Sequence, residues 1–255
     1  MKDIEQSPEI GKTDFDLAEF LGGKIKAFQP QKGFRAGSDS VFLSAAVKAK
    51  PGQKCIDLGC GVGIVGLSLA SRIKDLKVTG IEVNQEIAGL AQRNIELNNF
   101  PDIDVIADDL RNVKGMENSC DHVFMNPPFY KQGSFIHSPD PSKDNAIGFH
   151  DNEISLKDWI DFASRNLKQK GMITLIHKSD ALQSIIRLMG YKFGALEIIP
   201  LQSKAGQAAK RVIFRAIKDS KSPTILHNPF VVHDENGDYT NQAQDILISG
   251  EGFYL

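Results

Sequence analysis

Asn126-Pro127-Pro128-Phe129 is the stretch of this chain best equipped for chemistry on an amine. Asn126 offers a side-chain amide oxygen, Pro127 a backbone carbonyl and Phe129 an aromatic face. Neither proline can donate to a sheet, and each drives the residue before it towards extended backbone, so the carbonyls here lack ladder partners. A planar amine-bearing group could donate its hydrogens to Asn126 and Pro127 while stacking on Phe129. The alternative is a proline-rich turn that only ends a strand. Just upstream, Cys120–Met125 is a short apolar run centred on Val123 and Phe124, the pattern of a parallel strand buried on both faces. Ligands of open α/β sheets bind beyond the carboxyl ends of such strands.

A second constellation is Asp57-Leu58-Gly59-Cys60-Gly61-Val62-Gly63-Ile64-Val65-Gly66. A strand runs into a glycine-rich turn, where backbone without Cβ atoms lets a ligand approach, and a helix follows. The next strand, Lys77–Glu82, ends in a carboxylate suited to accept from two ribose hydroxyls. Gly61, Gly63 and Gly66 with Glu82 also satisfy the dinucleotide fingerprint, so NAD is one reading. The longer string from Asp57 to Gly63 resembles the glycine loop of class I methyltransferases, which use S-adenosylmethionine (SAM), and favours that cofactor.

The rest of the chain must position these two motifs. Residues 1–20 read as a loose tail or an extra helix, and Gly22–Pro30 as a hairpin with Lys24 and Lys26 facing out. Ser38 or Asp39 is expected to cap a helix through Val47. Gln85–Asn98 buries Ile87, Leu90, Ala91 and Ile95 on one face, and Ile103–Ala107 is a third strand ending at Asp108-Asp109. Residues 130–151 are turn-rich, a pattern consistent with a substrate-gating loop. Ser155 caps a helix bearing Trp159, which Gly171 is expected to stop before the strand Met172–Ile176. Ala195–Ile199 and Arg211–Ile217 form an antiparallel edge pair. Lys204, Lys210, Arg211, Arg215, Lys218 and Lys221 make this region the most basic, as a solvated edge or as RNA contacts.

Composition narrows the function classes. The chain's 255 residues are 41% hydrophobic and 24% charged, which suits one large α/β domain. The expected organisation is a single domain over 1–255, with an N-terminal tail and hairpin over 1–35 and a C-terminal extension over 222–255. No apolar run approaches the ~20 residues of a membrane span, and no signal-peptide pattern opens the chain. Cys55, Cys60 and Cys120 have no metal-ligand spacing and suit a reducing cytoplasm. A net charge of −2 means that any nucleic-acid binding must use local patches. No metal is expected, and a monomer is the default.

Most of the chain resembles the bacterial tRNA(Val) adenine N-6 methyltransferase family, whose members modify the adenine beside the anticodon. The matching stretches are Arg35–Ala46, Asp57–Gly63, Asn126–Phe129 and Asp158-Trp159, with looser matches at Pro200-Leu201, Ala209–Arg211 and the tail from Leu226 to Thr240. Asn-Pro-Pro followed by an aromatic is the amino-methyltransferase tetrapeptide of class I enzymes. The resemblance implies a Rossmann-like α/β fold, with a mostly parallel seven-stranded sheet, an antiparallel edge hairpin and helices on both faces. It implies SAM as cofactor, held by Asp39, Asp57, Gly59, Gly61, Gly63, Glu82, Asp108 or Asp109, and Asn126. It also implies catalysis by Asn126, Pro127 and Phe129, and a tRNA substrate met by Phe129, Tyr130, Lys210 and Arg211. Ser38 departs from the threonine common in that family. An rRNA guanine methyltransferase, a protein-glutamine methyltransferase and a non-enzymatic SAM-binding module are the alternatives.

Overall fold

The computed structural model describes residues 15–33, 35–128 and 154–253. Its centre is the strand β3 (Lys54–Leu58), preceded by the hairpin β1 (Phe15–Phe20) and β2 (Ile25–Pro30) and the helix α1 (Ser38–Ala46). Then follow α2 (Ile64–Arg72), β4 (Lys77–Glu82), α3 (Gln85–Leu97), β5 (Ile103–Ala107) and β6 (Cys120–Met125). The remaining elements are α4 (Leu156–Asn166), β7 (Leu167–Lys178), α5 (Leu182–Met189), β8 (Phe193–Lys204), β9 (Arg211–Lys218), β10 (Ile225–Leu226), β11 (Phe230–His233) and α6 (Asn241–Leu247).

The main sheet runs β10-β8-β9-β7-β6-β3-β4-β5, with β11 also on β8. Only β9 is antiparallel to its neighbours. The chain winds outward from β3 through β4 to β5, then returns to β6 on the other side of β3. That reversal opens a crevice between the carboxyl ends of β3 and β6, where both motifs end. Val123, Phe124 and Met125 are fully buried, as the unbroken apolar run of β6 demands. Phe124 packs with Cys55 and Val78 towards α1 and α2, whereas Val123 and Met125 pack with Ile56 and Leu58 towards Trp159, Ile160 and Phe162 of α4.

Four expectations change. The hairpin starts earlier than its sequence suggests: Phe15–Phe20 pairs with Ile25–Pro30, and Gly22 and Gly23 make the turn at φ +63° and +89°. Neither Ser38 nor Asp39 caps α1. Gly37 holds the cap position without a side-chain bond, and the Asp39 carboxylate pairs with Arg211 Nε at 2.9 Å. Gly171 does not stop α4. Strand β7 starts at Leu167, and Gly171 lies inside it, where a Cβ would come 2.9 Å from the Lys168 carbonyl oxygen.

The basic pair of strands is not a free edge. β9 lies between β7 and β8, and the far side of β8 is paired by β10 and β11, which raises the sheet from seven strands to nine. Arg215 is therefore neither solvated nor available to RNA, being 1% exposed. Its guanidinium pairs with Glu197 and donates to the Ala46 carbonyl at 3.3 Å. Glu197 also takes Lys48 at 3.0 Å and His227 at 3.1 Å, so one carboxylate ties α1 and the C-terminal strands to the sheet.

Candidate active site

Residues after β3 form the floor of the crevice. The Gly59 and Cys60 amides donate to the Ile81 carbonyl at 2.8 and 3.1 Å, which pins the loop to β4. Gly59, Gly61 and Gly63 all have positive φ, a backbone that a Cβ would strain. Their surroundings differ. A Cβ on Gly59 would lie 2.2 Å from the indole of Trp159, whereas one on Gly61 would meet nothing within 4 Å. The space above Gly61 belongs to an open cleft lined by Ala36, Ser40, Asp57, Cys60, Val62 and Asn126, among others.

Carboxylates hold this loop from two sides. Asp57 is buried and accepts from the Gly66 amide at 3.1 Å, so it ties β3 to the first turn of α2. Burial pushes its pKa up to about 7, with the nearby Glu82 charge adding to the shift. Glu82, at the end of β4, accepts from the Gly61 amide through one oxygen and from the Asn84 amide through the other, both at 3.0 Å. After β5, Asp108 and Asp109 separate clearly. Three side-chain bonds at 2.6 to 3.0 Å occupy the Asp109 carboxylate with Arg111, which holds Asp109 below the usual carboxylate range. Asp108 engages through one oxygen, with the Asp109 amide and Asn112, and its other oxygen takes no hydrogen bond among the described residues.

Asn126 is brought to this loop by strand register. Leu58 pairs with Met125, so Asn126 stands level with Gly59 and lines the same cleft. It is half-buried, Pro127 beside it is buried, and its side-chain amide makes no hydrogen bond within the described residues. Phe129 and Tyr130 lie outside those residues, as does the loop to 151. Lys210 and Arg211 do not line the cleft. Lys210 is exposed, and Arg211 is linked to the cleft wall through Asp39, the residue before Ser40.

Residues not assigned to the site from the sequence complete it. Trp159 covers Gly59 from the α4 side, and its buried Nε1 has no partner among the described residues. The Ser155–Asp158 capping box fixes the turn that presents it. Gln29, buried in β2, accepts from the Ala36 amide at 2.7 Å and so holds another lining residue. Asn94 of α3 reaches the loop at the Val62 carbonyl. The three cysteines are buried, and burial raises Cys55 and Cys120 to about 12 and Cys60 well above its ordinary value. They serve as packing groups rather than nucleophiles.

The site fits an adenosyl ligand in its open space and its acceptors. Open space above a left-handed glycine, a carboxylate at the end of β4 and a partly unengaged carboxylate after β5 stand along one edge of the sheet. Among the described residues no group of three His, Cys, Asp or Glu side chains could hold a metal ion. No helix of those residues is long and apolar enough to cross a membrane.

Residues 33–138 match the family described as Methyltransferase small domain. A Porphyromonas gingivalis protein named tRNA1(Val) (adenine(37)-N6)-methyltransferase is 27% identical over 219 residues, covering 81% of this chain and 84% of its own length. A protein of the same name from Mannheimia succiniciproducens is 28% identical and covers 87% and 88%. Among solved structures, a predicted O-methyltransferase from Agrobacterium tumefaciens is 28% identical, with a TM-score of 0.70 over 85% of this chain and 98% of that one. M. jannaschii TYW2, crystallised with AdoMet, is 18% identical with a TM-score of 0.58 over 82% and 87%, a likeness of fold. The crevice between β3 and β6 thus lies in the segment that matches the Methyltransferase small domain, in a chain similar along most of its length to proteins named as methyltransferases.

Proposed function

We propose that this protein transfers a methyl group from SAM to the exocyclic N6 amine of an adenine in the anticodon loop of a tRNA. The observation that carries the reading is the placement of Asn126 level with the glycine loop, lining the same cleft. The names of the relatives supply the substrate, an adenine of tRNA1(Val). Cytoplasmic location follows from that substrate.

The backbone of Gly59 to Gly63 would hold the cofactor, with Glu82 towards its ribose and Asp108 towards its adenine. Asp109 is the weaker choice for that contact because Arg111 already occupies it. When bound, SAM supplies an electrophilic methyl group on a sulfonium. The chain's own task is to prepare the amine. An adenine amine is a poor nucleophile because its lone pair is delocalised into the ring. Acceptors on Asn126 and Pro127 would hold both amine hydrogens and favour a pyramidal nitrogen. The transfer then depends on alignment more than on a strong base. Phe129 and Tyr130 would stack on a base splayed from its loop. Lys210 and Arg211 would meet phosphates at the rim.

Single-turnover transfer of labelled methyl to tRNA tests this, with nucleoside mass spectrometry of the product. Asn126→Ala should lose ~10²-fold or more in rate, the usual cost of removing one preorganised transition-state partner. SAM affinity should stay within a few-fold. Near-normal transfer by that variant would reduce Asn126 to a turn residue. Methylated guanine or methylated protein glutamine would reassign the substrate.

A further inference from the structure

Asn94 lies in the middle of α3, where the apolar stripe of the helix predicts a hydrophobe, and it is fully buried. Its amide is used at every polar atom. Oδ1 accepts from the Phe28 amide at 2.8 Å, and Nδ2 donates to the Phe28 carbonyl at 3.0 Å and to the Val62 carbonyl at 3.0 Å. One side chain thus closes a strand-like pair with β2 and also fastens the glycine loop where it lines the cleft. Apolar packing around Ala27, Val62, Ile64 and Leu90 seals the same junction.

One turn later, Asn98 makes the same two-sided clasp on β2. Its Oδ1 accepts from the Lys26 amide at 3.0 Å, and its Nδ2 donates to the Lys26 carbonyl at 2.6 Å. Its other donation goes to the Asn94 carbonyl of α3 itself, and no bond of its side chain reaches the loop. The two asparagines hold the hairpin alike, and of the two only Asn94 reaches a residue of the cleft.

We propose that Asn94 is a positioning residue for the cofactor, fixing the Val62 wall of the glycine loop against β2, so that the N-terminal hairpin braces the cofactor site. The inference rests on the SAM reading of the cleft. A loop carbonyl held by a buried donor resists rotation, and the Gly63 amide of the same peptide, which donates to the Cys60 carbonyl at 2.9 Å, is fixed with it. Losing that donor frees the peptide and leaves a buried carbonyl unpaired.

The test compares Asn94→Asp with Asn98→Asp. Each keeps the acceptor for the hairpin amide and loses the donor, and only Asn94→Asp unfastens Val62. In calorimetry the wild type should bind SAM, Asn94→Asp should bind at least tenfold more weakly, and Asn98→Asp should stay within threefold. Hydrogen exchange of the wild type gives a second reading that needs no variant. SAM should slow exchange of the Phe28 amide, which Asn94 holds, and leave the Lys26 amide, which Asn98 holds, little changed. If Asn94→Asp does not fold, this exchange pair decides. Wild-type binding with equal losses in both variants, or with no selective protection of Phe28, would overturn the inference and leave the cofactor reading intact. Absence of SAM binding by the wild type would instead remove the cofactor reading itself.

Discussion

Gly59→Ala tests the packing of the site most directly. The added methyl would lie 2.2 Å from Cη2 of Trp159 and 2.8 Å from Cζ3, against an ordinary contact of at least 3.4 Å. The indole must therefore retreat by about 1.2 Å, and it has little room to do so. Trp159 is buried among the residues of α4, and the capping box holds the first turn of that helix in place. Overpacking of this kind typically costs ~1–3 kcal/mol. An alanine at φ +67° adds the left-handed penalty, ~1–2 kcal/mol. The expected destabilisation is ~2–5 kcal/mol, a fall in Tm of roughly 4–20 °C at ~2–4 °C per kcal/mol for a chain of this size. Thermal and urea unfolding of the ligand-free protein would measure it. Trp159→Leu separates the two contributions. In the double variant the clash disappears and the backbone penalty stays, so the pair should couple favourably by ~1–3 kcal/mol. Additive losses, or a Gly59→Ala variant within ~0.5 kcal/mol of wild type, would show that the loop yields to the methyl and that packing does not require this glycine.

Asp57 should leave a signature in pH. Its folded pKa is raised from 3.8 to about 7, so its contribution to stability is full below about 3.8 and is lost as pH rises through about 7. The difference between wild type and Asp57→Asn in denaturant midpoint should grow across that window, with the asparagine variant gaining relative stability towards neutrality. A difference that stays flat with pH would mean that the folded state does not penalise the charge. At the rim, Lys210→Glu should weaken tRNA binding and reduce the magnitude of its salt slope by about one, as for a lost phosphate contact. Arg211→Glu should in addition destabilise the free protein by placing two carboxylates where Arg211 now meets Asp39. An unaltered salt slope for Lys210→Glu would remove that lysine from the RNA surface.

The parallel core was legible because its strands are apolar on both faces and end in punctuation. Cys120–Met125 stops at a proline pair and Lys54–Leu58 at a glycine loop, and both ends prove to border one cleft. The extension after residue 222 gave no such signal. Ile225 and Leu226 are exposed, and their strand exists through pairing with β8, a partner about thirty residues away in the chain. Arg215 reads as a surface charge because sequence carries no trace of the carboxylate that burial requires, and Glu197 becomes that carboxylate only across the β8–β9 ladder. Asn94 was hidden for a related reason. Its partners are backbone groups of Phe28 and Val62, 66 and 32 residues away, and a backbone partner leaves no residue type to recognise.

Sequence reading assigns each glycine of the loop after β3 to ligand approach, since a missing Cβ looks the same whatever fills the space. In the structure the space beside Gly61 opens into the cleft, while the space beside Gly59 is filled by Trp159. Gly61 answers to whatever the cleft binds, and Gly59 to a side chain from a helix that begins nearly a hundred residues later. Trp159 meets the loop at Gly59 from the α4 face of the sheet, and Asn126, at the end of β6, lines the cleft beside the loop. The loop is thereby held by two sets of contacts: Asn94 and β2 at Val62, and Trp159 at Gly59. A site that must align an amine and a methyl donor within a few tenths of an ångström gains its precision from such two-sided support, more than from the flexibility that glycine alone would bring.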